Sequence, residues 1–241
     1  MKSALLIARR ELAAYVRTPS GYVIMAAVLL VDGLLFNAFA VGSTAKLSSK
    51  VLQDFFYFAA GTTMIASVLV SMKLLAEERA AGTMALLFTS PLREWEIIVG
   101  KFLSALLFLS VLTLLTAYMP ALIFINGKVS LGHIAAGYFG LLLLGASTLS
   151  LGLLGSALAR NQLVAGVLGA AFVVALLACW MLARIVDDPI KPVLRYLALF
   201  DQHFRPFQRG MLRLSDVVFF VSVVWFSLLA ATRVLQNQRW Q

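Results

Sequence analysis

Histidine, cysteine and charged residues are all scarce in this chain. Its 241 residues include two histidines, one cysteine and only 13% charged residues. The one cysteine, Cys179, lies in an apolar run, which excludes a disulfide framework. The histidines, His133 and His203, are far apart and have no acidic neighbour at the spacing of metal ligands. We therefore expect no metal site.

A phosphate-binding loop is missing as well. Gly100–Lys101 is followed by Phe102 and lacks the earlier glycine that the Walker pattern requires, and the zinc-protease pattern is also absent. We expect that the chain is not an enzyme and binds no cofactor directly. Any ATP must then be hydrolysed elsewhere.

What the sequence has in excess is apolar residues. They make up 61% of the chain, and the mean hydropathy is +0.93, whereas charged residues approach a quarter of a typical soluble domain. Since a bilayer core needs about 20 apolar residues per helix, the pattern predicts an all-α polytopic membrane protein with six transmembrane helices in one domain, residues 1–241. The predicted spans are residues 22–41, 55–75, 102–125, 133–159, 163–183 and 217–235.

Three polar segments lie outside these spans. Residues 1–20 predict an interfacial helix, with Lys2, Arg9, Arg10 and Arg17 on one arc and Leu5, Leu12, Tyr15 and Val16 opposite. Residues 184–216 predict an extracytoplasmic interfacial or re-entrant segment, and Ser215–Asp216 is expected to cap the sixth span. Residues 76–98 predict a cytoplasmic coupling region.

The basic residues predict which side of the membrane the termini face. Six spans place both termini on one side, and placing that side in the cytoplasm gives it 11 of the 20 basic residues. If the long loop 184–216 is left out, the ratio becomes 11 to 3. We therefore expect cytoplasmic termini, and we interpret the net charge of +9 as topology and lipid contact rather than nucleic-acid binding.

The coupling region has its own local signals. Gly82 is suited to the left-handed conformation that ends a helix, and Thr83 is suited to cap a new one. That short amphipathic helix would carry apolar side chains that need a partner surface, Met84, Leu86, Leu87 and Phe88. Ser90–Pro91 predicts the start of the following helix, and Pro120 predicts a kink near its far end.

Polar and small residues inside the spans are candidates for a polar pathway or a subunit seam. Asp32 lies near the middle of the first span, and it either lines such a pathway or bonds a hydroxyl of a neighbouring helix. The fourth span carries Thr148, Gly152 and Ser156, at a spacing that also suits close helix packing. Both interpretations remain open for these four residues.

The polar motifs together resemble a known family. The run from Ala76 to Thr83, with Leu86–Leu87, Ser90–Pro91 and Trp95 to Lys101, resembles the segment after the second span of type-2 ATP-binding-cassette (ABC) permeases. The N-terminal Arg9-Arg10-Glu11-Leu12 and the C-terminal Arg239-Trp240 are similar to the gliding-motility and nitrous-oxide-reductase-maturation branch. The resemblance extends through almost the whole chain.

The resemblance implies a permease subunit in the cell inner membrane, with export as the direction of transport. Such permeases pair with a second copy or a paralogue and with two ABC ATPase subunits, which use ATP and Mg, and an extracytoplasmic accessory protein can join them. On this chain, the helix that docks to the ATPase would be residues 83–88. Glu77, Glu78 and Arg79 would brace it.

Two other functions compete with transport. The chain could transmit force or signals to an envelope machine without moving a substrate, because little of it lies outside the membrane. It could also be an intramembrane enzyme, since Ser147, Ser150 and Ser156 share the fourth span with His133. That interpretation is disfavoured, because His133 is at least two turns from these serines and the nucleophile elbow is missing.

Overall fold

The chain is helical almost throughout. The computed structural model describes residues 2–42, 46–84, 93–127 and 129–239, and over these ranges it contains helices and turns but no strand. Two π-helical segments, Phe36–Val41 and Leu199–Phe204, join α-helices to their neighbours. The α-helices are α1 (Lys2–Arg17), α2 (Pro19–Leu35), α3 (Ser48–Ser71), α4 (Ala76–Ala80), α5 (Glu94–Leu115), α6 (Tyr118–Asn126), α7 (Leu131–Leu158), α8 (Gln162–Ile185), α9 (Ile190–Leu197), α10 (Arg205–Gln208) and α11 (Leu214–Arg239).

The six predicted spans are confirmed. Within the described ranges, six helical stretches are long and apolar enough to cross a membrane: Pro19–Val41, Ser48–Ala80, Glu94–Ile125, Leu131–Leu158, Gln162–Ile185 and Leu214–Gln238. They alternate in direction, so α1, α4 and the last turns of α11 meet at one end of the bundle. We call this the terminal end, and we call the opposite end, which carries residues 199–208, the far end.

Each helix begins earlier than hydropathy predicts. The second span starts at Ser48 rather than Phe55, and the third starts at Glu94 rather than Phe102. Charged residues end an apolar run but not a helix, because the backbone bonds continue through them. Arg93 is the N-cap of α5, and its N–H donates to the Glu96 carboxylate at 3.4 Å. The predicted start at Ser90–Pro91 lies outside the described residues.

The predicted kink at Pro120 is present as a break four residues earlier. Helix α5 ends at Leu115 and α6 begins at Tyr118. Proline has no N–H and its ring collides with the carbonyl four residues before it, which here belongs to Thr116. That carbonyl instead accepts the N–H of Met119 at 3.0 Å.

Helix α7 is the centre of the bundle and packs against α3, α5, α8 and α11. Its glycines allow the close approach. A Cβ atom at Gly137 would lie 2.1 Å from the ring of Phe56, and one at Gly152 would lie 1.9 Å from the Ser71 hydroxyl. Small residues therefore set the distance between α7 and α3.

Helix α1 packs along α5, with Leu12 and Tyr15 of its predicted apolar arc against the core. Ala4 and Ala8 are buried, and Ile7 and Tyr15 pack on the core, whereas Leu5 is 68% exposed. The face of α1 that contacts α5 is the one with Ala4 and Ala8, and Leu5 of the predicted apolar arc lies outside it. Gly100 on α5, where a Cβ would lie 2.8 Å from the Ala4 carbonyl, leaves room for this small face.

The far end is covered by the segment after α8. Helix α9 has no buried residue, whereas His203, Phe204 and Phe207 are buried against the bundle. The predicted cap at Ser215–Asp216 was wrong: α11 begins at Leu214, and Asp216 lies in its first turn. The Asp216 carboxylate accepts a hydrogen bond from His203 instead of capping the helix.

Candidate functional site

The candidate site lies at the terminal end, around α4. This short helix carries Glu77, Glu78 and Arg79, and Gly82, Thr83 and Met84 follow it. Met84 packs against the main core cluster. The other predicted coupling residues, Leu86, Leu87 and Phe88, lie outside the described residues.

Helix α4 ends in a Schellman motif around Gly82. Gly82 has a φ of +71°, its N–H donates to the Arg79 carbonyl at 3.1 Å, and the Thr83 N–H donates to the Glu78 carbonyl at 3.0 Å. This is the left-handed helix end for which glycine is preferred. The Thr83 hydroxyl also donates to the Glu78 carbonyl, at 3.2 Å. This hydroxyl bond therefore helps to close α4.

Helix α4 begins at a cap that α7 provides. The Ser156 hydroxyl oxygen accepts the N–H groups of Leu75 at 3.1 Å and Ala76 at 3.0 Å. These are donors that a helix start leaves without an intrahelical partner. Ser156 is fully buried, so it fixes the start of α4 to α7.

Arg79 connects α4 to two further helix ends. Its guanidinium donates to the carbonyls of Ala157 and Ala159, each at 2.5 Å, and to the side-chain oxygen of Gln238. A helix leaves its last carbonyls without intrahelical donors, and Arg79 satisfies two of them at the end of α7. Through Gln238 it also reaches α11.

Lys101 is a buried cation between two glutamates. Its side chain is only 3% exposed, and its Nζ lies 2.7 Å from Glu78 Oε1 and 3.4 Å from Glu11 Oε1. These contacts join α5 to α4 and to α1. A buried charge is tolerated only when it is paired in this way. The second oxygen of Glu78, Oε2, is buried without a hydrogen-bond partner in the described part of the chain.

Burial and nearby charges shift the pKa values of two residues on α1, Glu11 and Tyr15. Burial raises the pKa of Glu11, but the attraction of Lys101 and Arg10 outweighs it, so the pKa lies below its ordinary value of 4.5. Burial, with the nearby Glu11 and Glu77, raises the pKa of Tyr15. Glu11 is therefore ionised at neutral pH and attracts Lys101.

A cavity of about 250 Å³ opens beside this ion cluster. Its polar lining comes from α1, from the turn before α4 and from α4 itself, with Lys101 at its wall. The lining residues include Glu11, Tyr15, Lys73, Glu77, Glu78 and Lys101. The site thus combines a charged concave surface with a tightly bonded helix.

The four predicted pathway residues do not lie together: three are on α7, and Asp32 is on α2. Thr148 and Gly152 contact α3, where Ser67 donates to the Thr148 hydroxyl at 2.7 Å and Ser71 faces Gly152, and Ser156 belongs to the cap of α4. Asp32 is buried elsewhere, and it accepts a hydrogen bond from Thr62 at 2.6 Å. Asp32 therefore has the hydroxyl partner that one of its two interpretations required.

The serines and the histidine of the enzyme hypothesis do not meet. The Ser147 and Ser150 hydroxyls donate to backbone carbonyls of Leu143 and Ser147, and the Nε2 of His133 is bonded to the Gln208 carbonyl at 2.9 Å. In the described part of the chain, these serine hydroxyls and the His133 ring are bonded to backbone carbonyls and not to each other. This arrangement gives the enzyme interpretation no support.

Sequence reasoning missed the partnership of Lys101 with Glu78 and Glu11. A signal for it was present, because a single lysine inside an apolar helix must pair with a carboxylate or lie outside the membrane. The choice of partner was not visible, since Glu11 is 90 residues away along the chain.

Comparison with known proteins adds one match. A family model described as an ABC-2 family transporter protein matches residues 5–195, which include most of α1, all of α2 to α8, and the residues of the candidate site other than Gln238. Among curated proteins, none matches the chain.

Proposed function

The chain belongs to the ABC-2 family of transporter proteins, and we propose that it couples ATP hydrolysis by a separate subunit to export through its spans. Membership makes it a membrane permease subunit of a transporter, a type of protein that generally is not itself catalytic and typically works with an ABC ATPase. The direction of transport and the route of coupling are the proposal. The branch within the family stays a prediction.

The observation that supports this coupling is the bonding of α4 to four other helices. Ser156 and Arg79 join it to α7 and α11, and Lys101 joins it to α5 and α1. Residues 81–84 connect α4 to residues 85–92 in the chain. A displacement of that segment by a partner would therefore move five helices together rather than bend one loop.

This mechanism requires the terminal end to face the cytoplasm, where ATP is available. The excess of basic residues on that side, outside the long loop 184–216, supports this orientation in the inner membrane. Closure of two ATPase subunits on ATP and Mg would press on residues 83–88 of two permeases, either two copies or a copy and a paralogue. The bundles would then tilt and open outward. An extracytoplasmic accessory protein completes the proposed assembly.

The test begins with co-purification. The tagged chain is expressed with the products of its neighbouring genes, purified in mild detergent, and the eluate is assayed for ATP hydrolysis. A stoichiometric ATPase that copurifies supports the proposal. Recovery of the chain without an ATPase, under conditions that preserve other ABC transporters, overturns it.

Coupling is then tested with two glycine variants. Gly82→Ala strains a backbone with a φ of +71°, whereas Gly132→Ala adds a methyl group in equally open space without that strain. We expect both variants to bind the ATPase, and Gly82→Ala alone to lose the ATP-dependent distance change between labels at the far ends of the two permeases. Equal behaviour of the two variants would contradict the proposed route.

The same complex distinguishes transport from force or signal transmission. A transporter's ATPase rate in liposomes should rise with a transported solute. A transducer should instead respond to an added envelope protein and to no solute.

A further inference from the structure

A groove with basic and aromatic walls lies at the far end, remote from the candidate site. Its volume is about 540 Å³, and it runs between the first turns of α3 and helix α10. We call it the basic groove and define it by Lys50, Asp54, Tyr57, Phe58, Arg205 and Arg209. The Gln208 side chain donates to the Gln53 carbonyl at 2.8 Å, which fixes α10 against α3.

Positive charge exceeds negative charge in and around the groove. Asp54 is shared by Lys46, at 3.3 Å, and Lys50, at 2.7 Å. Arg205 pairs with Asp201 at 2.8 Å, and Arg209 has no ion pair within the described ranges. The groove and its immediate surroundings therefore hold four cations and two carboxylates. The remaining charge favours an anionic ligand.

Both arginines line the groove. They are four residues apart on one turn, where the Arg209 N–H donates to the Arg205 carbonyl at 3.2 Å, so their side chains leave the same face. The Arg205 side chain is 49% exposed and that of Lys50 is 59% exposed, so a ligand can reach both. Guanidinium groups bind phosphate oxygens bidentately.

The other wall of the groove is aromatic. Tyr57 and Phe58 follow Lys50 and Asp54 along α3, and the ring of Phe58 lies 5.3 Å from that of Phe39 in the π-helical segment Phe36–Val41. Tyr57 is 51% exposed. Such rings bind apolar groups at a membrane boundary. The groove thus offers a cationic part and an apolar part to the same ligand.

We propose that the basic groove binds a phosphate-bearing ligand, with its phosphate between Arg205 and Arg209. The apolar part of the ligand, where it has one, lies against Tyr57 and Phe58. The ligand is either a lipid head group or a free phosphate compound. This site does not depend on the proposed coupling to an ATPase, because it lies at the opposite end of the bundle.

The test uses the full chain purified in a neutral detergent and follows its thermal unfolding with three additives. Phosphatidylglycerol supplies a lipid phosphate, diacylglycerol supplies the same tails without phosphate, and inorganic phosphate supplies the anion alone. We expect phosphatidylglycerol or inorganic phosphate to raise the unfolding temperature, and diacylglycerol to leave it unchanged. A rise with phosphatidylglycerol alone identifies a lipid head group, and a rise with inorganic phosphate identifies a free phosphate.

The arginines are tested with a matched control. The double variant R205Q/R209Q should weaken the apparent affinity for the stabilising additive by about tenfold or more, because charge-assisted bonds to phosphate are lost. Arg213→Gln removes an exposed arginine that does not line the groove, and it should leave the affinity unchanged. If the double variant does not fold, Lys50→Gln on α3 tests the same groove.

Three results would overturn the proposal. The first is equal stabilisation by phosphatidylglycerol and diacylglycerol, and the second is no stabilisation by either phosphate additive. The third is an equal loss of affinity in the groove variants and in Arg213→Gln, which would mean that the additive responds to overall charge.

Discussion

The Nδ1 atom of His203 lies 2.8 Å from the Oδ1 atom of Asp216, and its Nε2 atom lies 2.8 Å from the Tyr196 carbonyl oxygen. Each of these oxygens can accept a hydrogen bond from a ring N–H. The ring also stacks on Phe219 at 3.8 Å. One buried side chain thus joins the segment after α9 to α9 and α11.

Loss of this contact should weaken the far end. Asp216→Ala leaves a buried ring N–H of His203 without an acceptor, at a cost of about 2 kcal/mol in the free energy of unfolding. Asp187→Ala, which removes an exposed carboxylate near the same end, is the control. Denaturation in detergent measures both, and equal stability would show that the His203 bond contributes nothing.

Lys101→Met should destabilise the terminal end. Its side chain is buried between Glu78 and Glu11, so its removal leaves Glu78 without its cation and Glu11 with Arg10 alone, at a cost of about 3 kcal/mol. Adding Glu78→Gln should recover part of the loss. Lys50→Met, at an exposed lysine, should cost much less in the same unfolding assay; a similar cost would refute the buried bridge.

Ser156→Ala should cost about 1 kcal/mol of stability, because the start of α4 loses the acceptor for two N–H groups. Ser150→Ala is a close control. Ser150 is equally buried on the same helix, but its hydroxyl donates to the Ser147 carbonyl within α7. Hydrogen exchange at Leu75 and Ala76 should rise in the Ser156 variant only.

Gly152→Ala should separate α7 from α3. The new methyl group would lie 1.9 Å from the Ser71 Oγ and 2.8 Å from its Cβ, and such overpacking costs about 1 to 3 kcal/mol. Ser71→Gly in the same chain should restore much of the stability. Gly132→Ala, with no atom within 4 Å of its new methyl group, should not destabilise the helix; a loss as large as that of Gly152→Ala would refute the steric explanation.

The contribution of Glu11 should depend on pH. Its folded pKa lies below the ordinary 4.5, so its ionised form stabilises the fold fully above that value, and this stability is lost as the pH falls through the lowered pKa. Glu11→Gln should therefore be less stable than the unchanged chain at pH 7, and the difference should shrink below about pH 4. A difference that does not change with pH would contradict this assignment.

Much of the fold could be predicted because it follows from local properties. Long apolar runs have to form helices where water is absent, and this located all six spans. Pro120 and Gly82 act on their own turn of backbone, so the break before Tyr118 and the end of α4 were also predictable. The predicted helix starts lay too far along the chain, because the first turns of these helices are charged and hydropathy detects only the apolar turns.

The candidate site was predicted only in part. Glu78 and Arg79 stand out as charges between apolar runs, but their partners Lys101, Ala157 and Gln238 lie on other helices. The helical wheel of α1 did not show that its small face, with Ala4, packs on Gly100 of α5. The pairing of His203 with Asp216 was missed because it depends on how residues 199–208 fold back onto α11.

By itself, the sequence determined an all-α membrane protein of six spans, with polar segments at its two ends. Composition and local backbone chemistry are sufficient for this, since each helix satisfies its own hydrogen bonds. Only the tertiary structure decided that Lys101 joins Glu78 to Glu11, that Ser156 starts α4, and that Arg205 and Arg209 face α3. Those contacts arise from the packing of helices distant in the chain, where burial makes each unpaired charge costly and so selects its partner.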